Sequence, residues 1–448
     1  MSASLLETWN ETVARAPGAV AIVDATAARA WSRAELQADS LAWRTVHGAS
    51  LAGRTIAFSE PNGAGWLRVF LGLLASDAVA APLDPGEPPA AQLAIARSIG
   101  AAGLCRDGRP QPTAVHRRPA RDGRRVIKLT SGSTGAPRAL RFTDAQMLAD
   151  GRAICRGMEI AATDLNLGLI PWGHSYGLGN LVLPLLLQGT AIVCNVPPLP
   201  HAIAAAIARW RPTVFPAVPA LLQALASSAI EPGQLASLRT VISAGAPLAA
   251  ETARDFHARF ARKIHSFYGS SETGGIAYDP TGDSAAENRG VGRPLPGVSL
   301  AFERGGRFRV RSPAVFTLGN RQPGTHRMAD LARLTADGEL VLLGRAGRFV
   351  KIAGRRLNLA EIEHALKQLE GVRDALVYPH PERADSLAAA VLTARPAAEI
   401  REFLRERLAS WKIPRKLVPL ASFPLTARGK TDVRRLKQLL EEPSSPSG

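Results

Sequence analysis

Short β-branched runs alternate with apolar helical stretches over about the first 340 residues of this chain, and few folds accommodate that rhythm. Strands are expected at Thr55–Phe58, Val126–Leu129, Ala191–Cys194, Val214–Ala217 and Thr240–Ser243, with helices such as Ala202–Trp210 and Pro219–Ser227 between them. Repeated strand–helix–strand units pair their strands in parallel and lay the helices over the sheet, so the expected class is α/β. Ser32-Arg33-Ala34-Glu35 is a capping box opening a helix that carries Leu36, Leu41 and Trp43. From about 290 to 343 the pattern changes to short strands punctuated by Gly and Pro (Phe308–Arg311, Leu340–Leu343), which predicts a small β subdomain completing an N-terminal domain of 1–343.

A second, α+β unit is expected over 344–440. It comprises a helix from the Asn358 cap to about Leu369, strands Ala375–Tyr378 and Leu387–Leu392, a helix Ala398–Ala409 and a last helix from about Thr431. Residues 441–448, rich in Pro, Ser and Glu, read as a disordered tail.

Composition narrows the partners. Hydrophobic residues at 46% and charged residues at 21% suit a soluble globular chain. No apolar run reaches the roughly 18–20 residues of a membrane span, so no integral membrane segment is expected. The N-terminus has no basic-then-apolar signal, and a cytoplasmic location is the expectation. Cys105, Cys155 and Cys194 lack metal-ligand spacing and read as reduced, structural thiols. The formal charge of +17 rests on arginine, only eight of the cations being lysine. These cations are spread along the chain with no basic tail and no aromatic-interleaved block, which argues against a nucleic-acid partner. An arginine-favouring genome accounts for that charge as well as function does, and anionic small molecules or an acidic carrier protein would suit it.

The strongest local signal is Thr130-Ser131-Gly132-Ser133-Thr134-Gly135-Ala136-Pro137-Arg138, directly after an expected strand. Glycines let the backbone double back with its amides unobstructed, and the hydroxyls add donors, so the segment can wrap polyphosphate oxygens. The bland alternative is a Ser/Thr/Gly surface loop. Gly429-Lys430-Thr431 imitates a Walker A loop, but Pro424 stands where its first glycine belongs.

Further segments follow in order: Pro171-Trp172-Gly173-His174-Ser175-Tyr176-Gly177, Ser243-Ala244-Gly245-Ala246-Pro247-Leu248, Tyr268-Gly269-Ser270-Ser271-Glu272-Thr273, His326 to Asp330, Gly344 to Arg348, Val350 to Arg356, and Pro424 to Lys430. With the Thr130–Arg138 loop they resemble the signature segments of the adenylate-forming superfamily, which includes acyl- and aryl-CoA synthetases, luciferases and peptide-synthetase adenylation domains. The resemblance covers nearly the whole chain. It implies that ATP and a carboxylic acid give an acyl-AMP, whose acyl group then passes to a thiol.

The resemblance also implies roles. Thr130, Ser131, Gly132, Ser133, Thr134, Gly135 and Arg138 would hold the phosphates. Gly245, Ala246, Pro247, Tyr268, Gly269 and Ser271 would meet the nucleotide, with Asp330 on the ribose and Arg345 and Arg356 near ribose or phosphate. Glu272 would be the Mg²⁺ ligand, a hard carboxylate oxygen matched to a hard cation. Trp172, His174, Tyr176, Ser243 and Gly245 would line the acyl pocket. Lys430 would bring a compact cation to the attacking carboxylate and α-phosphate. Gly347 would be the hinge of a C-terminal lid, and Gly354 would line the thiol tunnel used by CoA or carrier-protein phosphopantetheine. His174 has a bland alternative as a core histidine, Glu272 as a turn glutamate, and Asp330 as an ordinary aspartate, its usual T-G-D being Met-Ala-Asp here.

Three departures are notable. Arg138 replaces the usual lysine, Ser271 a threonine, and Gly347 a hinge aspartate or lysine. The Pro171–His174 stretch lacks the acid with which α-amino-acid activators hold the ammonium group, so the expected substrate is a hydrophobic aryl or fatty acyl carboxylate. CoA is the expected acceptor, with an acyl carrier protein as the alternative. A non-catalytic nucleotide- or acyl-binding protein is a further alternative, against which Glu272, Asp330 and Lys430 all argue.

Overall fold

Two large sheets share one apolar core, and helices fill the space between them. The computed structural model describes residues 3–115, 123–130, 138–316, 324–345, 349–352, 355–380, 386–408, 410–426 and 431–441. One sheet has six strands in the order Arg109–Pro112, Gly103–Arg106, Thr55–Ser59, Val79–Pro82, Arg124–Thr130, Arg138–Thr143. Its inner pairs are parallel, and an antiparallel hairpin closes each edge.

The other sheet has nine strands, ordered Arg293–Pro294, Gly274–Tyr278, Ile264–Ser270, Thr240–Ser243, Val214–Ala217, Leu165–Leu167, Ala191–Cys194, Val20–Asp24, Arg29–Ser32. Its central six strands, Ile264–Ser270 through Val20–Asp24, are parallel. The helix Ala64–Ala75 is apolar except for Arg68, and most of its side chains are buried. Its Trp66 and Phe70 join Phe58 and Val126 of the six-stranded sheet and Ile22 and Ile192 of the nine-stranded one in a single cluster. A four-stranded antiparallel sheet follows (Ser299–Phe302, Arg307–Arg311, Thr325–Leu334, Leu340–Arg345). The smaller C-terminal part holds a three-stranded sheet with apolar clusters on both faces.

The expected α/β class is therefore the observed one, with parallel strands at Ala191–Cys194, Val214–Ala217 and Thr240–Ser243 as read. The Ser32 capping box is formed, Ser32 accepting from the Glu35 amide and Glu35 from the Ser32 amide.

Boundaries differ where local chemistry was missed. Helix Pro200–Trp210 starts two residues before Ala202, because Pro200 suits a first-turn position. The first C-terminal helix ends at Lys367, with Leu369 in the turn that follows. The helix expected to reach Ala409 stops at Arg405, just past its last buried residue, Leu404. The last helix is Val433–Glu441 and does not begin at Thr431. Asp432 caps it through the amides of Arg434 and Arg435, while Thr431 bridges Leu425. Glu441, assigned to the tail, is still helical, and 442–448 lie outside the described residues. Strand Lys416–Leu420, not among the expected strands, carries Pro419, a residue that cannot donate to a ladder. It is tolerated because this strand lies at the sheet edge. No helix among the described residues is long and apolar enough to cross a membrane.

Candidate active site

Parallel strands in register deliver their C-terminal ends to one edge, where ligands of open α/β sheets bind. Here Ala217, Ser243 and Ser266 are register partners on Val214–Ala217, Thr240–Ser243 and Ile264–Ser270. The segments that follow these strands, including Gly245 to Pro247 and Ser271-Glu272, leave from that edge. Gly245 has φ +87°, a left-handed turn that suits glycine, and a Cβ there would meet Val218 Cγ1 at 3.9 Å. Ser243 is 3% exposed, and its hydroxyl has no hydrogen-bond partner among the described residues.

Around the acyl candidates, the Tyr176 hydroxyl lies 3.3 Å from the Ala217 carbonyl and 3.1 Å from that of Ile242, to either of which it can donate. Its ring packs against Phe267 at 5.8 Å. The phenol thus ties its own segment to two strand ends. His174 Nε2 lies 3.8 Å from the Asp84 carboxylate, and both side chains are partly exposed. Asp84 comes from the loop after Val79–Pro82 of the other sheet, so the partner of His174 is supplied by a distant part of the chain. Trp172 points away from this group. It is fully buried, edge-on to Trp66 at 5.8 Å, and belongs to the core between the sheets.

The nucleotide candidates gather at three places. The Tyr268 hydroxyl donates to Asp330 Oδ2 at 2.6 Å, and Asp330 is the register partner of Arg345 across Thr325–Leu334 and Leu340–Arg345. Glu272 sits in the turn between Ser270 and Gly274, where its carbonyl accepts the Phe316 amide at 2.9 Å. Gly269 is needed because a Cβ there would come within 2.7 Å of the Gly274 carbonyl. Thr130 and Arg138 are register partners at the mouth of the hairpin whose connection is the Ser/Gly/Thr segment. The Arg138 guanidinium lies 5.7 Å over the Phe316 ring. Phe316, missed in the sequence, therefore links the end of the phosphate segment to the Glu272 turn; only its place at the end of the short apolar run Ala314 to Phe316 marks it.

Ser131, Gly132, Ser133, Thr134, Gly135, Gly347, Gly354 and Lys430 lie outside the described residues, as do the side chains of Arg345 and Arg356.

Among the described residues no group of three or more His, Cys, Asp or Glu could cage a metal. A lone Glu272 fits Mg²⁺, which keeps waters and is usually held by one or two carboxylates together with substrate phosphates. Burial pushes the thiols of Cys105, Cys155 and Cys194 up to about 12, which removes them as nucleophiles near neutral pH. An open basic depression lined by Arg239, His257, Arg262, Lys263 and His265 lies at the opposite, N-terminal ends of the same strands. Arg239 is paired there with Asp164 at 2.8 Å and Lys263 with Asp283 at 2.7 Å, so it is not an alternative to the strand-end site.

Two family profiles match the chain: AMP-binding enzyme over residues 107–303, and AMP-binding enzyme C-terminal domain over 361–430, together more than half its length. The uncharacterised acyl–CoA ligase YhfT of Bacillus subtilis is 27% identical, over 98% of this chain and 99% of that protein. A linear gramicidin synthase of Brevibacillus parabrevis is 26% identical over 96% of this chain, which spans only 6% of that much longer protein. Among solved structures, ATP-bound MatB from Rhodopseudomonas palustris superposes with a TM-score of 0.82 at 23% identity, covering 99% of both chains. This last likeness speaks for the fold.

Proposed function

This chain belongs to the adenylate-forming superfamily of AMP-binding enzymes, and on that premise we propose that it uses ATP to activate a hydrophobic aryl or fatty acyl carboxylate and passes the acyl group to a thiol, CoA being the favoured acceptor. The observation that carries the reading is the 2.6 Å bond from Tyr268 to Asp330, which joins the segment holding Glu272 to the ribose-binding candidate.

In the first half-reaction a carboxylate oxygen attacks the α-phosphorus. The bond to the β-phosphate breaks, and pyrophosphate leaves with the electron pair. Asp330, oriented by Tyr268, accepts from the ribose hydroxyls, as a carboxylate with about four acceptor sites can. Arg138 and the hydroxyl-rich segment hold the phosphates, so that attack is in line and positioning does most of the work. When bound, Mg²⁺ neutralises phosphate charge, and Glu272 is the residue to hold it. Lys430 meets the charge gathering between carboxylate and α-phosphate. His174 and Tyr176 border the acyl chain, with the Asp84 carboxylate facing His174. In the second half-reaction the thiol sulfur bonds to the acyl carbon, the carbon–oxygen bond breaks, AMP leaves and the thiol proton is released. The C-terminal lid, hinged at Gly347, would turn between the halves so that Lys430 withdraws and the Gly354 face lines the thiol path.

The match to a linear gramicidin synthase favours one second reading, transfer to a carrier-protein phosphopantetheine. Thioester formation with CoA against that with a carrier protein separates the two. The reading as a whole is tested by carboxylate-dependent exchange of labelled pyrophosphate into ATP across a panel of aryl, fatty and amino acids. Exchange with a hydrophobic member is expected. Silence across the panel would favour a non-catalytic nucleotide-binding protein.

A further inference from the structure

Lys128 is a lysine in an otherwise apolar buried stretch of the strand Arg124–Thr130, two residues before the phosphate segment begins. Its side chain is 2% exposed. The ammonium lies 3.4 Å from Asp150 Oδ2, whose side chain is 3% exposed, and 4.5 Å over the Phe142 ring. Asp150 belongs to the helix Asp144–Gly157, and its other oxygen, Oδ1, accepts the Gly275 amide at 2.9 Å. Gly275 lies three residues beyond Glu272. Gly274 has φ +71°, and a Cβ there would overlap the Asp150 carboxylate. One buried carboxylate thus touches both the strand Arg124–Thr130 and the first residues of the strand Gly274–Tyr278, which leaves the turn carrying the metal-ligand candidate.

Stability alone is a weak reason for such a pair. Desolvating two ions offsets their attraction, and apolar replacements of similar volume are often no worse. A buried pair does restrict geometry, because its partners tolerate few arrangements that leave neither charge unpaired. We propose that Lys128 and Asp150 are positioning residues that fix the strand Arg124–Thr130 against the strand Gly274–Tyr278, and so set the spacing between Thr130 and the Glu272 turn on which the grip on the Mg²⁺-bound triphosphate, rather than on the AMP portion, depends. This rests on the nucleotide reading above.

The test is equilibrium binding by titration calorimetry on the full chain, with ATP plus Mg²⁺, ATP plus a chelator, and AMP. The K128M/D150N variant removes both charges together and leaves no unpaired buried ion, and the introduced amide oxygen can still accept from Gly275. Affinity for ATP with Mg²⁺ is expected to fall about tenfold or more, since small misplacements in such sites have large effects, while AMP affinity stays within about twofold. Equal loss for all three, or no loss in a folded variant, would overturn the assignment. If the double variant does not fold, K128R, which keeps the cation in a different geometry, is read against the same outcomes. A wild-type chain that binds neither nucleotide sinks the nucleotide reading and this inference with it. Normal wild-type binding with an unaltered variant sinks only the role of the pair.

Discussion

At the scale of single residues, the Tyr268 hydroxyl on Asp330 is the contact whose removal says most about the site. At 2.6 Å it is a short bond to a carboxylate, of the stronger, charge-assisted kind. The phenol donates to one carboxylate oxygen, Oδ2, and so orients the group. Tyr268→Phe should raise the KM for ATP about five- to tenfold, the equivalent of about 1–1.4 kcal/mol. The KM for the carboxylate should stay within about twofold. A parallel rise in both constants would mean that Tyr268 supports the fold of the edge and not the nucleotide.

At the scale of elements, two left-handed glycines near the site make a contrast. Gly245 (φ +87°) follows its strand with an ordinary contact, Val218 Cγ1 at 3.9 Å from a would-be Cβ. Gly274 (φ +71°) opens the strand Gly274–Tyr278 directly against the Asp150 carboxylate. Alanine at either position meets the backbone penalty of about 1–2 kcal/mol. At Gly274 it also collides with a buried ion pair, adding about 1–3 kcal/mol of overpacking. Gly274→Ala should therefore lose clearly more stability than Gly245→Ala in denaturant unfolding. Equal losses would show that Asp150 gives way easily and that the turn is not pinned by it.

At the scale of the whole molecule, the proposal depends on a small C-terminal domain serving a site built by the large one. Lys430→Ala should slow adenylation by about 10²–10³-fold, the loss typical when charge stabilisation is removed at a transition state. Thioester formation from supplied acyl-AMP should be largely spared. Single-turnover measurement of each half separates the two, and equal loss in both would refute the division of labour between lid positions.

What the chain declares by itself is local. The alternation of strand and helix periods determined the α/β class, the Ser32 capping box its helix start, and the order of hydroxyl-rich, Tyr-Gly and acidic segments the family, because periodicity and turn chemistry act over a few neighbouring residues. Sheet order decided the rest. It set Asp84 beside His174, Phe316 on the Glu272 turn, and Asp150 between Lys128 and Gly275, 125 residues further along the chain. It also turned Trp172 into the core, although its sequence neighbours His174 and Tyr176 face other partners. Which side chains meet across strands depends on how the chain crosses between sheets, and no stretch of a dozen residues contains that information.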